Sequence, residues 1–491
     1  MQKPVRTATI VAVIAWLVCG PAGVAFADDA TLIRITPSKE PDPALRYRFW
    51  PSPNDQRDAN AAGLLSRAVL MTVQHTQHSR DNVHPGVLTD ERIERWIESP
   101  WQPEHAEEMQ QFLSYHESVL SEIDRAANFM RFDYPLATDQ MNLTETFELL
   151  LPEVQESRTL CRFLLIRGRL EANQHRWNDF DRTVRTLYRL ADMIGMQSDF
   201  LVAQLVSVAI QEQTLRLVRE ASEVSDSPNF YWALNAVPAE LFELKRTAEK
   251  EAFAVLKVLP DAGRYPDHPM GGEASRQKLA ELNQQFAAVV KMLDTGFDLQ
   301  ETPEASVVSG LMIATMGPSS REYLRSVSEW GDRVDELESV ECVLRATALK
   351  LRRGIHDYYK WYSLPRAMRS DHLQQSESSL TDGNRSIDSQ PDPAHLLLQA
   401  IAPALRAVDQ ASRRLEQTHH FTVTLQAIRD HAARHGELPS KLDDLYLPAL
   451  PDGLRPGPFN YQRKSPNRAT IERTARYSND NETTFELQLA E

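Results

Sequence analysis

The chain has 491 residues, of which 54 are Lys or Arg and 69 are Asp or Glu, giving a formal charge of −15 at pH 7. So acidic a surface repels phosphate backbones and anionic lipid heads, which argues against nucleic acid as a partner and favours solubility. Three cysteines in such a length exclude a disulfide framework.

Lys3 and Arg6 open the chain, an apolar run follows from Ala8 to Val18, and Ala25-Phe26-Ala27 puts small residues where a signal peptidase needs them. Charged start, short apolar core and small-residue exit form the secretory pattern. Residues 1–27 are therefore expected to be a signal peptide cleaved after Ala27, with the mature chain exported to the periplasm or beyond. The apolar run falls short of the roughly 20 residues that span a bilayer, and no later stretch approaches that length, so no stable membrane insertion of the mature chain is expected. Loss of Lys3 and Arg6 takes the formal charge from −15 to −17. The 464 residues that remain (491 less 27) exceed one compact core and suggest two or three packed units. Cys161 and Cys342 also remain, in helical, apolar-patterned segments, either as one bridge or as two buried thiols.

Residues 28–57 are proline-rich and read as an extended lead-in, with Tyr47, Phe49 and Trp50 available to pin it to the body. Residues 58–369 read as a helical body. Ala61, Leu64, Leu65, Ala68 and Val69 recur at steps of three and four, the spacing of one helix face. A short helix is expected from Asp90 to Glu98, then a longer one to about Phe132 with Phe112, Tyr115, Val119 and Ile123 on its buried side. Leu160, Phe163, Leu164 and Leu170 mark the next helix, and a break at Asn173–Asn178 leads to one carrying Phe180, Val184, Leu187, Ala191 and Ile194. A third, Leu201 to Val218, is apolar nearly all round at its start and therefore central. Helix, short polar turn, helix resembles the tetratricopeptide class of hairpins, with Gly168 as the small residue of a first helix and with Arg167 and Phe180 departing from its pattern.

Residues 237–258 and 274–294 continue as helices around a Pro/Gly-rich loop at 260–272. Leu344, Ala348, Leu351, Ile355, Tyr358 and Tyr362 form a heptad-like seam within 335–362. Residues 370–394 are rich in Ser, Asp and Gln, a linker with too little apolar area to order itself. The last unit, 395–491, is a long helix followed by a small antiparallel sheet. The helix stripe Ile401, Leu405, Val408 and Leu415 resumes at Phe421 after a six-residue step, which predicts a kink near Thr418–His420. Strands are expected at Phe459–Arg463, Ala469–Tyr477 and Thr483–Leu489, the last alternating Phe485, Leu487 and Leu489 with Glu486 and Gln488.

The helix end His435-Gly436-Glu437-Leu438-Pro439, followed by Leu442, Leu445, Leu450-Pro451-Asp452-Gly453 and the strand entry Gly457-Pro458-Phe459-Asn460-Tyr461, resembles the helix, turn and small sheet of type II secretion pseudopilins. It is more similar still to the C-terminal module of exported bacterial all-helical proteins without an assigned activity. Those proteins place an aromatic-then-Leu-Pro helix end, like Lys360-Trp361-Tyr362-Ser363-Leu364-Pro365, before such a module. The resemblance implies an exported helical protein and no catalytic role. The pseudopilin part covers about 70 residues without that family's N-terminal membrane helix, so no place in a secretion pilus follows.

His431 and His435 lie one helical turn apart, with Asp430, Glu437 and His420 near in sequence, but Ala432 stands where a zinc protease carries its glutamate. Their simpler reading is two solvated imidazoles near a helix C-terminus. His75, His78 and His84 read as loop residues without a matching carboxylate. Tyr358, Tyr359, Trp361 and Tyr362 form an aromatic cluster that suits a packed helix end, and Trp330 beside Gly331 suits a core. Arg463, Lys464, Arg468, Arg473 and Arg476 read as the solvated face of the sheet. No nucleophile elbow, phosphate-binding glycine loop, dinucleotide fingerprint or C-x-x-C pair occurs. No residue is assigned a catalytic, cofactor-binding or metal role.

The expected fold is mainly α, stacked antiparallel helical hairpins with a small C-terminal α+β module. The expected function is a non-catalytic interaction or scaffold protein of the cell envelope whose partner is another envelope protein. The alternative is an envelope hydrolase using a carboxylate pair or His431 and His435.

Overall fold

The computed structural model describes residues 31–81, 90–133, 143–197, 201–242, 269–281, 305–327, 331–364, 393–454, 457–473 and 483–490, with Met368, His372, Leu373, Gln375 and Ser376. The expected signal segment, His84, Trp330, Arg476 and most of the residues expected to form the 237–258 and 274–294 helices and the linker lie outside them. The described chain is mainly helical with two small sheets. In chain order it runs β1 (Thr31–Ile35), β2 (Arg57–Asn60), α1 (Ala62–Asp81), α2 (Asp90–Glu98), α3 (Ala106–Tyr115), α4 (Glu117–Ala127) and β3 (Phe129–Arg131). Next come α5 (Leu143–Asn173), α6 (Trp177–Gln197), α7 (Leu201–Glu223), α8 (Tyr231–Asn235), α9 (Ala305–Val327), α10 (Ser339–Tyr359) and α11 (Pro393–His435). β4 (Asn460–Ser465), β5 (Arg468–Arg473) and β6 (Thr483–Leu489) close the chain.

Helices α5, α6 and α7 pack pairwise, α1 lies on α4 and α5, and α7 rests on α11. Their apolar faces meet in one core centred on Phe49, Phe180, Tyr188 and Phe230, each fully buried. Phe230 stands 5.2 Å from Phe49 and 5.5 Å from Phe180 between ring centroids, so the lead-in is locked by aromatic packing. The seam of α10 is buried as its spacing demands, from Leu344 through Ala348, Leu351, Ile355 and Tyr358 to Tyr362.

Gly168, in the middle of α5, marks the closest approach to α7. A Cβ there would lie 2.7 Å from Leu217 Cδ2, and Leu217 is itself buried. A glycine is retained inside a helix against its propensity because α7 occupies the space. Gly168→Val should destabilise the fold by about 2 kcal/mol through overpacking; urea unfolding of the purified variant checks this, and an unchanged midpoint would mean the helices are not so close.

The sequence expectations need five corrections here. The lead-in contains β1, which pairs parallel with β6, so the sheet has the order β1-β6-β5-β4 and is mixed, not purely antiparallel. Ile33 and Ile35 alternate into the same core as Leu487, a period-2 signal too short to stand out beside the prolines. Helix α1 starts at Ala62 and not at Asp58, because Arg57–Asn60 pairs with β3 and the Asn60 amide oxygen accepts from the Ala62 N–H at 3.0 Å.

The long helix expected to reach Phe132 is broken at His116, whose ring turns inward between Phe112 and Phe163 (4.7 and 4.3 Å). Helix α11 runs from Pro393 to His435 without the kink expected at Thr418–His420. Its stripe shifts because it serves two cores. Leu415, Val423 and Ala427 face the helical body, whereas Phe421, Leu425, Ile428 and Ala432 face the sheet. Finally, His75 and His78 lie on α1 and not in a loop.

Candidate functional site

A cavity of about 480 Å³ opens where α3, α4, α5 and α6 meet. Its lining is polar. Asp124 projects from α4, Arg167 and Glu171 from successive turns of α5, and Arg182 from α6, while Gln110 and Ser114 of α3 close the opposite side. At its floor Arg167 holds Asp124 bidentately, with both N–H···O distances 2.8 Å, the planar match that makes guanidinium–carboxylate pairs strong. Thr186 donates at 2.8 Å to Asp124 Oδ1, which also accepts from Arg167 Nη2. Thr183 donates to Glu171 at 2.6 Å, and Arg167 Nε donates to the Thr183 hydroxyl at 2.9 Å, so α5 and α6 share one hydrogen-bonded chain.

Burial pushes the Glu171 carboxyl up to about 7 against the opposing pull of Arg167. Glu171 therefore exchanges its proton close to neutrality at the base of an open cavity, a feature that leaves no local sequence signature. Asp181, one turn of α6 behind, is raised to about 6 by burial, but its oxygens are taken up by the Arg48 N–H and by Arg185. At the rim, Arg176 and Arg182 share Asp179, and Arg125 pairs with Glu122. The two Asp179 pairs are exposed at both partners, and pairs of that kind are weak and open readily for a ligand.

The histidines singled out by spacing are placed differently. The rings of His431 and His435 lie 4.4 Å apart on α11. Around them the carboxylates are committed elsewhere: Asp430 accepts from the Glu40 N–H and from Arg434, and Glu437 pairs with Arg463 at 2.6 Å. His420 Nδ1 lies 2.9 Å from the Pro451 carbonyl oxygen. Among the described residues no three His, Cys, Asp or Glu side chains converge as a cation would require. Tyr358, Tyr359 and Tyr362 are packed together, and Trp361 stacks on His372 at 4.2 Å. Cys161 and Cys342 are buried free thiols, and burial raises both, Cys161 up to about 12, which disfavours the thiolate form at each. Among the sheet arginines Arg463 pairs with Glu437, but Arg473 turns inward over Phe421 and Phe485, which corrects the expected solvated face.

His75 and His116 meet at 3.4 Å between Nδ1 atoms, behind the cavity wall. Burial, with a smaller contribution from His75, pushes His116 down to about 4. The folded value lies below the ordinary 6.5, so the unfolded chain protonates first as pH falls. The His116 contribution is intact above pH 6.5 and is lost progressively toward pH 4, by about 2 kcal/mol between pH 7 and pH 5. Glu171 and Asp181, with raised values, act in the opposite sense. Urea unfolding of wild type and His116→Leu at the two pH values isolates the histidine: the acid loss should shrink in the variant by that amount, and equal losses would place the charge elsewhere.

No family model, curated protein or solved structure matches this chain. Among the described residues no helix is long and apolar enough to cross a membrane.

Proposed function

We propose that the chain is an exported cell-envelope protein that binds a polar, carboxylate-bearing segment of another envelope protein in the cavity between α3, α4, α5 and α6. The observation that carries this reading is the commitment of both floor carboxyls to a single guanidinium. Hydrolysis by a carboxylate pair needs two acids facing each other across the scissile bond, whereas Asp124 and Glu171 face Arg167 together. Four arginines and three carboxyls line the cavity, and half-protonation of Glu171 near neutrality leaves it cationic, complementary to a carboxylate. Export rests on the signal pattern of residues 1–27, and the resemblance to exported helical proteins supports it. On the same footing we assign α5 to α7 to loosely tetratricopeptide-like hairpin stacking, and α11 with its sheet to a pseudopilin-like module. Gly436, with φ +75°, closes the helix before Pro439 in the manner that resemblance implies.

Co-purification from envelope extract with wild type and with Arg176→Glu/Arg182→Glu tests the reading. The wild type should retain a partner that the charge-reversed rim loses, and retention should weaken from pH 6 to pH 8 as Glu171 ionises. A partner held equally by both proteins would move the binding surface away from the cavity.

One observation favours a second reading. A carboxyl raised to about 7 is suited to general acid catalysis, so an envelope hydrolase would use Glu171 as its acid. Turnover of a polysaccharide or peptide panel that disappears in Glu171→Gln, without loss of folding, would put that reading first. The version using His431 and His435 predicts stoichiometric zinc in the purified protein, removed by replacing both histidines with Ala.

A further inference from the structure

On the opposite side of α7 from the cavity, two arginines converge on one turn of α11. Arg473, the last residue of β5, donates to the Thr418 hydroxyl at 2.9 Å, and Arg219 of α7 approaches the Thr422 hydroxyl at 3.5 Å. Thr418 and Thr422 stand one helical turn apart, about 6 Å along the axis. Both hydroxyls are buried and donate to backbone carbonyls of α11, to Arg414 and Thr418 respectively, so their lone pairs are what the arginines receive.

Among the described residues neither guanidinium has a carboxylate within ion-pair distance, whereas Arg167, Arg345, Arg413 and Arg434 each hold one. Each guanidinium carries five N–H donors, and Arg219 and Arg473 each use one on a threonine. Arg473 is held instead by aromatic rings, its guanidinium carbon 5.4 Å from the Phe485 centroid and 5.8 Å from that of Phe421, and its Nε is sealed from solvent without a partner among the described residues. Arg414 stands exposed one turn before Thr418, and of the two carboxyls that attract Arg219 at longer range, Glu220 is half-buried and Glu212 exposed.

Two half-buried guanidiniums hydrogen-bonded to neutral partners, in a chain of charge −15, are an unfavourable arrangement unless an anion completes it. We propose that Arg219 and Arg473, steered by Thr422 and Thr418, form a binding site for a tetrahedral or carboxylate oxyanion at the junction of α7, α11 and β5. The repulsion is visible in the protonation equilibria: burial first, and then Arg473, push Arg219 down to about 10. Glu212 is exposed to solvent, so this acid does not fill the place. An oxyanion accepts one or two N–H bonds from each guanidinium, including the unpartnered Nε, and Arg414 at the open side raises its local concentration. This site is separate from the α3–α6 cavity and does not depend on it.

The test uses the mature full-length chain at low chloride, titrated with inorganic phosphate, sulfate and citrate, with binding read by calorimetry and by thermal shift. Saturable binding of at least one of these anions is expected, with Tm rising as the logarithm of anion concentration. Phosphate and sulfate binding without citrate binding would identify a tetrahedral ligand, and the converse a carboxylate. Arg219→Met should weaken binding by about tenfold or more and, in anion-free buffer, should raise Tm, because the surviving arginine loses its like-charged neighbour. A merely structural arginine would lower Tm on removal. Glu212→Gln keeps the fold and should tighten binding. Absence of saturable binding by wild type, or an Arg219→Met variant that binds as well as wild type, would overturn the site.

Discussion

Replacement of Arg429 by Met should cost the fold about 4 kcal/mol, the largest effect expected of any single surface-neutral change in this chain. Arg429 is among the most completely buried large side chains, and it has no carboxylate partner among the described residues. Its guanidinium donates to the carbonyls of Thr36 (2.8 Å), Pro228 (3.0 Å) and Ser227 (2.9 Å), and to the Gln426 amide oxygen (2.7 Å). Those acceptors belong to the segment after β1, the turn after α7 and α11 itself, so one side chain ties three distant parts together. Methionine fills much of the volume but leaves the acceptors dry, at about 1–3 kcal/mol each before relaxation.

An opposing contribution keeps the total below the simple sum. Burial pushes Arg429 down to about 9, so its charge is itself costly, and methionine relieves that cost. Urea unfolding at pH 7 gives the figure. An Arg429→Met protein as stable as wild type would mean that water reaches the orphaned carbonyls.

Arg167→Met should cost about 3 kcal/mol at pH 8 and less at pH 5. The substitution strands Asp124 and Glu171 beside each other in a half-buried cavity, the situation that makes breaking an ion pair more damaging than removing it whole. Partial exposure of Asp124, 25% for its side chain, keeps the cost at the lower end of the range for buried pairs. Arg167 pulls Glu171 downward, so its loss raises that carboxyl further above 7. With the folded value raised, the native state takes up the proton first as pH falls, and stability relative to wild type recovers in acid. Asp124→Asn on the same background should restore part of the loss at pH 8. A deficit that is flat with pH, and not relieved by Asp124→Asn, would show packing around the Arg167 stem to be the cause.

Helix identity was legible in the chain because period-3.6 burial is long and redundant. The Asp90–Glu98 helix rests on three concordant apolar positions, Ile93, Trp96 and Ile97, and the helices either side of the break after Asn173 and the α10 seam on four or more each. What escaped is short or depends on partners. β1 has two inward residues, Ile33 and Ile35, and its other face is decided by β6 at the far end of the chain. The stripe shift between Leu415 and Phe421 records two neighbours on one straight helix, and a periodicity count has no means of separating that from a bend. The cavity is less legible still. Asp124, Arg167 and Glu171 are ordinary charged residues on amphipathic helices until α4, α5 and α6 bring them together, and the His431/His435 spacing, conspicuous in one dimension, meets no third ligand among the described residues.

The pairing of β1 with β6 sets an order of events during synthesis. Thr31 waits for Phe485, 454 positions later (485 less 31), before its strand has a neighbour. Closing so long a loop from an unstructured chain costs about 5 kcal/mol of entropy, so the helical body must condense first and bring the ends near. A nascent chain that does not yet include β6 keeps Ile33 and Ile35 uncovered beside an open strand edge, a surface that chaperones and proteases recognise. The sheet thus works as a late checkpoint on the body beneath it: it closes only after β6 has been made and the helices have brought it to β1.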